Sequence, residues 1–238
     1  MKAIIADIHG NLGALRAVLG DIAVHGVTEI YCLGDIVGYG PNPRECVDLL
    51  IGCPVAVLGN HDVAASEAQS LASRPLDRRT IWTRRQLATP TPDYQASRRR
   101  REFLCGLPRT HREGDCLFLH GSPREPVNEY VFPEDSCNSR KMQAIFALVD
   151  RCCFMGHTHI PGIFTQDCRF IAPEDANGQW RLDGRKTLFN VGSVGQPRDN
   201  DPRACYVLFD GATIRFCRVD YDMRQLDRMY GVDGFELG

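Results

Sequence analysis

The chain has 238 residues, 43% of them hydrophobic and 24% charged, and a formal net charge of −2. Such a composition suits a globular protein with a full core and argues against a general nucleic-acid binder. No apolar run approaches the ~20 residues that cross a bilayer, so no membrane partner is expected.

The opening MKAIIADIHGN is apolar for only four residues before an aspartate, too short for a signal-peptide core, so no export is expected. Ala3 to Ala6 is a short buried-strand pattern ending in Asp7. Leu12, Leu15, Val18, Leu19 and Ile22 have helical spacing, and Asn11 is placed to cap a helix running to Val24. Glu29 to Leu33 predicts a second strand, Pro43 to Ile51 a helix with proline in its first turn, and Pro54 to Leu58 a third strand. Strand and helix alternating at this spacing mean parallel strands with crossover helices.

Residues 63 to 112 are polar, helix-prone and arginine-rich, and are expected to form a helical insert or cap on a single domain spanning 1 to 238. Strands resume at Cys116 to Leu119 and Cys152 to Met155, with a helix from Ser139 to Val149 between them. Further strands are expected at Ile163 to Gln166, Arg169 to Ala172, Gln179 to Leu182 and Thr187 to Val191. A hairpin follows, Cys205 to Phe209 and Ile214 to Val219, turning at Asp210-Gly211, and a short helix over Asp222 to Met229 closes the chain. Eleven cysteines are odd in number, scattered and mostly inside apolar runs, with no CxxC pair. They read as small buried hydrophobes of a reduced, cytoplasmic protein.

Polar residues of ligand type follow five of these strands: Asp7 and His9, then Asp35, then Asn60, His61 and Asp62, then His120, then His157 and His159. Five of the seven histidines take part; only His25 and His111 fall elsewhere. The carboxyl ends of parallel strands open on one edge, so these side chains should converge there. In extended chain, residues i and i+2 point to one side, which would put Asp7 with His9, and His157 with His159, on a common face. Imidazole, carboxylate and amide donors without thiolate suit Mn²⁺, Fe²⁺, Zn²⁺, Ni²⁺ or Co²⁺ better than Ca²⁺. The donors are too many for one tetrahedral ion and suit two ions about 3.5–4 Å apart that share a carboxylate. Spacing alone does not divide the donors between the two.

In order, DxH (Asp7, His9), GD (Asp35), GNHD (Gly59 to Asp62), HG (His120) and GHTH (Gly156 to His159) resemble the calcineurin-like metallophosphoesterase family. The NVGSVGQPRD stretch, Asn190 to Asp199, is similar to that of its small bacterial phosphodiesterase-type members. The resemblance implies a four-layer αββα sandwich with a di-metal site at the carboxyl ends of the strands. It assigns Asp7, His9 and His159 to one ion, Asn60, His120 and His157 to the other, and Asp35 to both. His61 then faces the substrate and Asp62 orients it. The cofactor implied is a pair of divalent cations, Mn²⁺ first, with Fe, Zn, Ni, Co or Mg as alternatives. A hydroxide bridging the pair attacks phosphorus, and His61 assists the leaving group.

Serine/threonine protein phosphatases carry an arginine in GDxVDRG, where this chain has GDIVGYGPNP, and dinucleoside tetraphosphate hydrolases share that arginine. The expected substrate is therefore a small phosphodiester or nucleotide, with a phosphomonoester left open. The alternatives are a dinucleoside polyphosphate hydrolase and a silent scaffold for protein interaction; complete donor positions speak for an enzyme. Arg124, Asn128 and Tyr130 after His120, and Arg198 in the 190s loop, are candidate substrate contacts. Eleven arginines lie between Arg74 and Arg112, four of them consecutive from Arg98 to Arg101. They form either a solvated helical surface or a basic lid that attracts an anionic substrate. Nothing in the sequence sets the oligomeric state.

Overall fold

The computed structural model describes residues 1–66, 78–89 and 93–223. The first half of the chain builds a sheet from β1 (Lys2–Ile5), β2 (Glu29–Cys32) and β3 (Val55–Ala56), all parallel. The crossovers are α1 (Leu12–Val24) and α2 (Pro43–Leu50). Asn11 caps α1 as expected: its Oδ1 accepts from Ala14 N at 3.1 Å, and its Nδ2 donates to Gly195 O at 2.9 Å. The short α3 (Asn60–Ala65) follows β3 directly, and α4 (Arg78–Ala88) and α5 (Tyr94–Gly106) come next.

A second sheet takes β4 (Thr110–Glu113), β5 (Cys116–Leu119), β6 (Cys152–Met155), β7 (Gly162–Thr165), β8 (Phe170–Ile171) and β10 (Thr187–Asn190). Between β5 and β6 lies α6 (Ser139–Phe146). The chain then returns to the first sheet: β11 (Ala204–Phe209) pairs antiparallel with β1, β12 (Thr213–Val219) with β11, and β9 (Gln179–Arg181) with β12. The strand orders are β3-β2-β1-β11-β12-β9 and β4-β5-β6-β10-β7-β8.

Period-two alternation sorts the side chains into layers. Ile4 and Ala6 of the β1 segment join Leu33, Val57, Phe118, Phe154, Phe189 and Val207 in one cluster between the two sheets. Phe118 stacks on Phe154 at 5.1 Å, and Phe154 on Phe189 at 5.2 Å. The opposite face of β1, Ala3 and Ile5, packs on Leu15, Val18 and Ile22 of α1 and Val47 and Leu50 of α2. On the far side, Met142, Ile145 and Phe146 of α6 cover Leu117, Leu119, Cys153 and Met155. Helix, sheet, sheet, helix is the layered sandwich that the resemblance implied.

Several sequence expectations change. The strand ends that carry the donors are divided between the two sheets of the expected sandwich: β1, β2 and β3 in the first, β5 and β6 in the second. The strand β4 was not expected, because THRE carries no apolar alternation. It is an edge strand, largely exposed, held by its ladder to β5. Most of the expected helix over Asp222 to Met229 lies outside the described residues.

Within the arginine-rich segment, arginines serve as struts. Arg100 makes a two-pronged bond to Asp48 of α2, Arg44 of α2 donates to the carbonyls of Gln86 and Thr89, and Arg84 donates to Ala64 O at 2.6 Å. Helices α4 and α5 are thereby fixed against α2 and α3.

Candidate metal centre

The donors stand where strands end. Asp7 and His9 follow β1, Asp35 follows β2, Asn60 and His61 open α3 behind β3, His120 follows β5, and His157 and His159 follow β6. The loops are laced together by backbone bonds that extend the ladders past the strands: Asp7 N to Gly34 O, His9 N to Asp35 O, Gly156 N to His120 O and Gly195 N to Asp7 O.

The convergence is not produced by extended chain. Asp7, His9, Asp35, His157 and His159 all adopt left-handed backbone, with φ of 55°, 49°, 51°, 70° and 63°. Each such non-glycine residue costs of order 1–3 kcal/mol and persists only where its surroundings hold it. The alternation that pairs Asp7 with His9, and His157 with His159, is therefore a tight loop conformation rather than a strand pleat. Thr158, between the two histidines, is turned away: its Oγ1 accepts from Asn190 Nδ2 at 2.8 Å, and the same amide donates to Gly156 O.

Each carboxylate has one oxygen in use and one aimed inward. Asp7 Oδ2 accepts from His157 N at 2.9 Å, and Asp7 Oδ1 is buried with no hydrogen-bond partner. Asp35 Oδ1 accepts from His61 N at 2.8 Å. Asp35 Oδ2 lies 3.6 Å from His9 Nε2 on one side and 3.4 Å from His120 Nε2 on the other.

Backbone carbonyls set the histidine tautomers. His120 Nδ1 donates to Leu33 O at 2.9 Å, His159 Nδ1 to Gln196 O at 2.7 Å, and His157 Nε2 to Asn128 O at 3.2 Å. The other ring nitrogen of each then turns a lone pair inward. Lone pairs meet there: His9 Nε2 is 3.0 Å from His159 Nε2, and His120 Nε2 is 3.0 Å from both His157 Nδ1 and Asn60 Oδ1. Acceptors this close need a cation or a proton between them.

The electrostatics agree. Burial alone would lower the His120 imidazole, but Asp35, and then Asp7, outweigh it and carry it up to about 9. Burial, then the charge on His120, pushes His157 down to about 4. Burial opposes ionisation of Asp35, yet His120, His61 and His9 hold it well below the usual carboxylate range. Three donor groups result that could hold a metal, each with its donor atoms within 4.8 Å of one another: Asp7, His9 and His159; Asp35, His120 and His157; and His9, Asp35 and His61. The orphaned Asp7 Oδ1, the crowded lone pairs and the donor chemistry all fit divalent cations.

A family model described as the calcineurin-like phosphoesterase superfamily domain matches residues 1–213. The chain belongs to that family. As a calcineurin-like phosphoesterase it falls among hydrolases of phosphoester bonds that use divalent metals. It is 37% identical, over 237 residues, to an uncharacterized protein of Methanocaldococcus jannaschii, covering 94% of this chain and 89% of that one. It is also 37% identical to a metallophosphoesterase from Sphaerobacter thermophilus, whose crystal structure it matches with a TM-score of 0.79 over 96% of this chain and 91% of that chain. A hypothetical protein from Pyrococcus horikoshii OT3 shares the fold at 20% identity, with a TM-score of 0.69 over 97% and 93% of the two chains.

In this phosphoesterase the seven expected donors and His61 come together, while other expected residues take different places. Asp62 does not grip the His61 ring. Its Oδ1 accepts from Val37 N and its Oδ2 from Gly59 N, both at 3.1 Å, so it anchors the start of α3, which carries Asn60 and His61. Arg124 pairs with Glu129, and the side chain of Asn128 donates to Glu125 at 2.9 Å. The Asn128 carbonyl, by contrast, reaches the cluster at His157. Tyr130 stacks on the His157 ring at 3.6 Å, and Arg198 lies exposed beside the loop that holds His159.

Sequence reasoning missed Tyr39, whose ring lies 4.7 Å from both His9 and His61, and Asn190, which holds the 156–158 turn. Tyr39 sits between two glycines in GDIVGYGPNP, and that flanking was the one available signal. A Cβ on Gly38 would strike the His9 ring, so the glycine lets the loop lie against the cluster.

Gly59 gives a direct test of the packing. Its φ of −94° suits any residue, but a Cβ there would collide with the amide and Oδ1 of Asp35. Gly59→Ala is expected to cost about 2 kcal/mol or more, lowering Tm by roughly 4–8 °C in a thermal melt. An unchanged Tm would mean that Asp35 is not held against this turn.

Proposed function

We propose that the protein is a metal-dependent phosphodiesterase of small diesters or nucleotides. Asp7, His9 and His159 hold one divalent cation, Asn60, His120 and His157 a second, and Asp35 both, with Mn²⁺ the leading candidate. The observation that carries this reading is the position of Asp35: one oxygen between the two donor groups, the other fixing the backbone of His61. Bound there, such cations activate water and neutralise charge on the phosphoryl oxygens.

The residues supply the rest. His61 is half-buried at the rim, edge-on to His9 at 4.8 Å, and is placed to give a proton to the departing oxygen. Tyr39 packs beside it, with the Arg79 guanidinium 5.6 Å above the tyrosine ring. Thr83 Oγ1 donates to Gly38 O at 3.0 Å, so α4 supports the loop that carries Tyr39. Within the 63 to 112 insert, α4 then backs one side of the site. On the other side Tyr130, 40% exposed, stacks on His157, and burial, followed by the nearby Tyr39 phenol, raises its hydroxyl above the ordinary value. Tyr39 and Arg198 both lie near enough to act on the Tyr130 hydroxyl, so these three side chains are placed to meet a substrate at the cluster. Free thiols at all eleven cysteines suit a reducing cytoplasm, and no helix among the described residues is long and apolar enough to cross a membrane.

The test is hydrolysis of bis-p-nitrophenyl phosphate by chelator-treated protein, with and without added Mn²⁺, Fe²⁺, Zn²⁺, Ni²⁺, Co²⁺ or Mg²⁺. Activity should vanish on chelation and return with a divalent ion. Folded protein that hydrolyses no diester with any of them would instead be a scaffold.

A further inference from the structure

One pair among the eleven cysteines is set apart by geometry. Cys116 opens β5 and Cys152 opens β6, and the two residues face each other in the parallel register. Neighbouring strands run about 4.7–4.9 Å apart, inside the ~4.4–6.8 Å window of Cα separations that a disulfide spans. Both side chains point into the layer between the sheets, and their Sγ atoms lie 2.8 Å apart as free thiols. Cys153, next in sequence, points to the opposite face and packs under α6.

The surroundings are polar on one side only. Arg151 Nη2 lies 3.3 Å from Cys116 Sγ. That guanidinium is locked by Asp115 Oδ2 at 2.6 Å and Gly211 O at 3.1 Å. Cys116 is 5% exposed and Cys152 fully buried, while the Arg151 and Asp115 side chains are 29% and 50% exposed, so the pair lies just under the surface.

We propose that Cys116 and Cys152 form a peroxide-reactive dithiol that closes to one intrachain disulfide, at the end of the sandwich remote from the metal centre. The sharing of charge supports this order of events. The Cys152 thiol, by donating to the Cys116 sulfur, holds Cys116 below its ordinary value, and the same bond, with burial, raises Cys152. The Arg151 guanidinium, 3.3 Å from Cys116 Sγ, favours the thiolate there, so Cys116 is the attacking sulfur and Cys152 the thiol that resolves it.

In the first step the Cys116 thiolate attacks the O–O bond of a hydroperoxide. A sulfenic acid forms, and the departing alkoxide or hydroxide takes a proton from solvent. In the second step Cys152 sulfur attacks the sulfenic sulfur, the S–S bond forms, and hydroxide leaves with the Cys152 proton as water. Two electrons pass from the sulfurs to the peroxide, giving one alcohol or water and one further water. A thiol reductant reverses the change.

The experiment is peroxide treatment of the full-length protein, alkylation under denaturing conditions, and peptide mass spectrometry. The expected result is a Cys116–Cys152 linked peptide pair that a thiol reductant abolishes. The exposed Cys105 and Cys137 report that oxidant was present. If these two are oxidised while Cys116 and Cys152 are still alkylated, the proposal is overturned. In Cys152→Ser, Cys116 should stop at the sulfenic acid and give a dimedone adduct. Absence of that adduct in folded variant, under peroxide that cross-links the wild type, would overturn the assignment of Cys116 as the attacking thiolate.

Discussion

Asp35→Asn should empty the centre while leaving the fold in place. Asparagine has the same shape and also tolerates the left-handed φ of 51° found here. Its carbonyl oxygen can still accept from His61 N, as Asp35 Oδ1 does. What disappears is the negative charge of Oδ2, which faces His9 Nε2 and His120 Nε2 at once. Loss of a mere supporting partner costs about 10–100-fold in metal affinity, so loss of a shared ligand should exceed about 100-fold. Equilibrium dialysis followed by elemental analysis should find a wild-type stoichiometry of two ions per chain and less than one in Asp35→Asn. Diesterase kcat/KM should fall in parallel, with the far-ultraviolet circular dichroism unchanged. A variant that keeps two tightly held ions would remove Asp35 from the role of shared ligand.

His61→Gln should do the reverse, keeping the ions and losing turnover. The His61 ring touches the rim of the cluster, and a ring nitrogen lies within 4.8 Å of donors on His9 and Asp35. Proximity alone would admit it as a ligand, so the variant separates the two roles. As a proton donor its removal should lower kcat by about 10²–10⁴-fold at unchanged metal content. The loss should be largest for diesters with a poor alkoxide leaving group and smallest for nitrophenolate, which departs without a proton. Loss of an ion, or an equal effect on both leaving groups, would contradict the assignment.

Much of this site was legible because its chemistry is punctual: a histidine or aspartate at the end of a strand is visible in one dimension. Asp7, His9, Asp35, Asn60, His120, His157 and His159 could all be named from that pattern, and the structure gathers them. What could not be seen is how the chain turns. The extended i, i+2 argument does not describe these loops, since five of the residues are left-handed and His157 and His159 fall in different donor groups. Asp62 shows the same blindness to the backbone: a carboxylate beside a histidine suggests a side-chain pair, yet its partners are the amides of Val37 and Gly59. Tyr39 was harder still, because an aromatic in a polar loop looks the same whether it meets solvent or an imidazole. The resemblance implied two sheets, but the motifs themselves did not show which strand end belongs to which. Five parallel-type strand ends read alike whether they belong to one sheet or to two, and only the long-range pairing of β1 with β11 divides them.

The division into two sheets has a consequence for how the molecule is held together. Asp7, His9, Asp35 and Asn60 come from the first sheet, and His120, His157 and His159 from the second. Any ion bound among them is a rivet through both. It joins positions about as far apart in the chain as a long disulfide loop would, and it does so reversibly, by mass action. The left-handed loops would then be least costly to hold when the rivet is in place. Metal supply would set not only whether the centre can react but how firmly one half of the sandwich is fastened to the other.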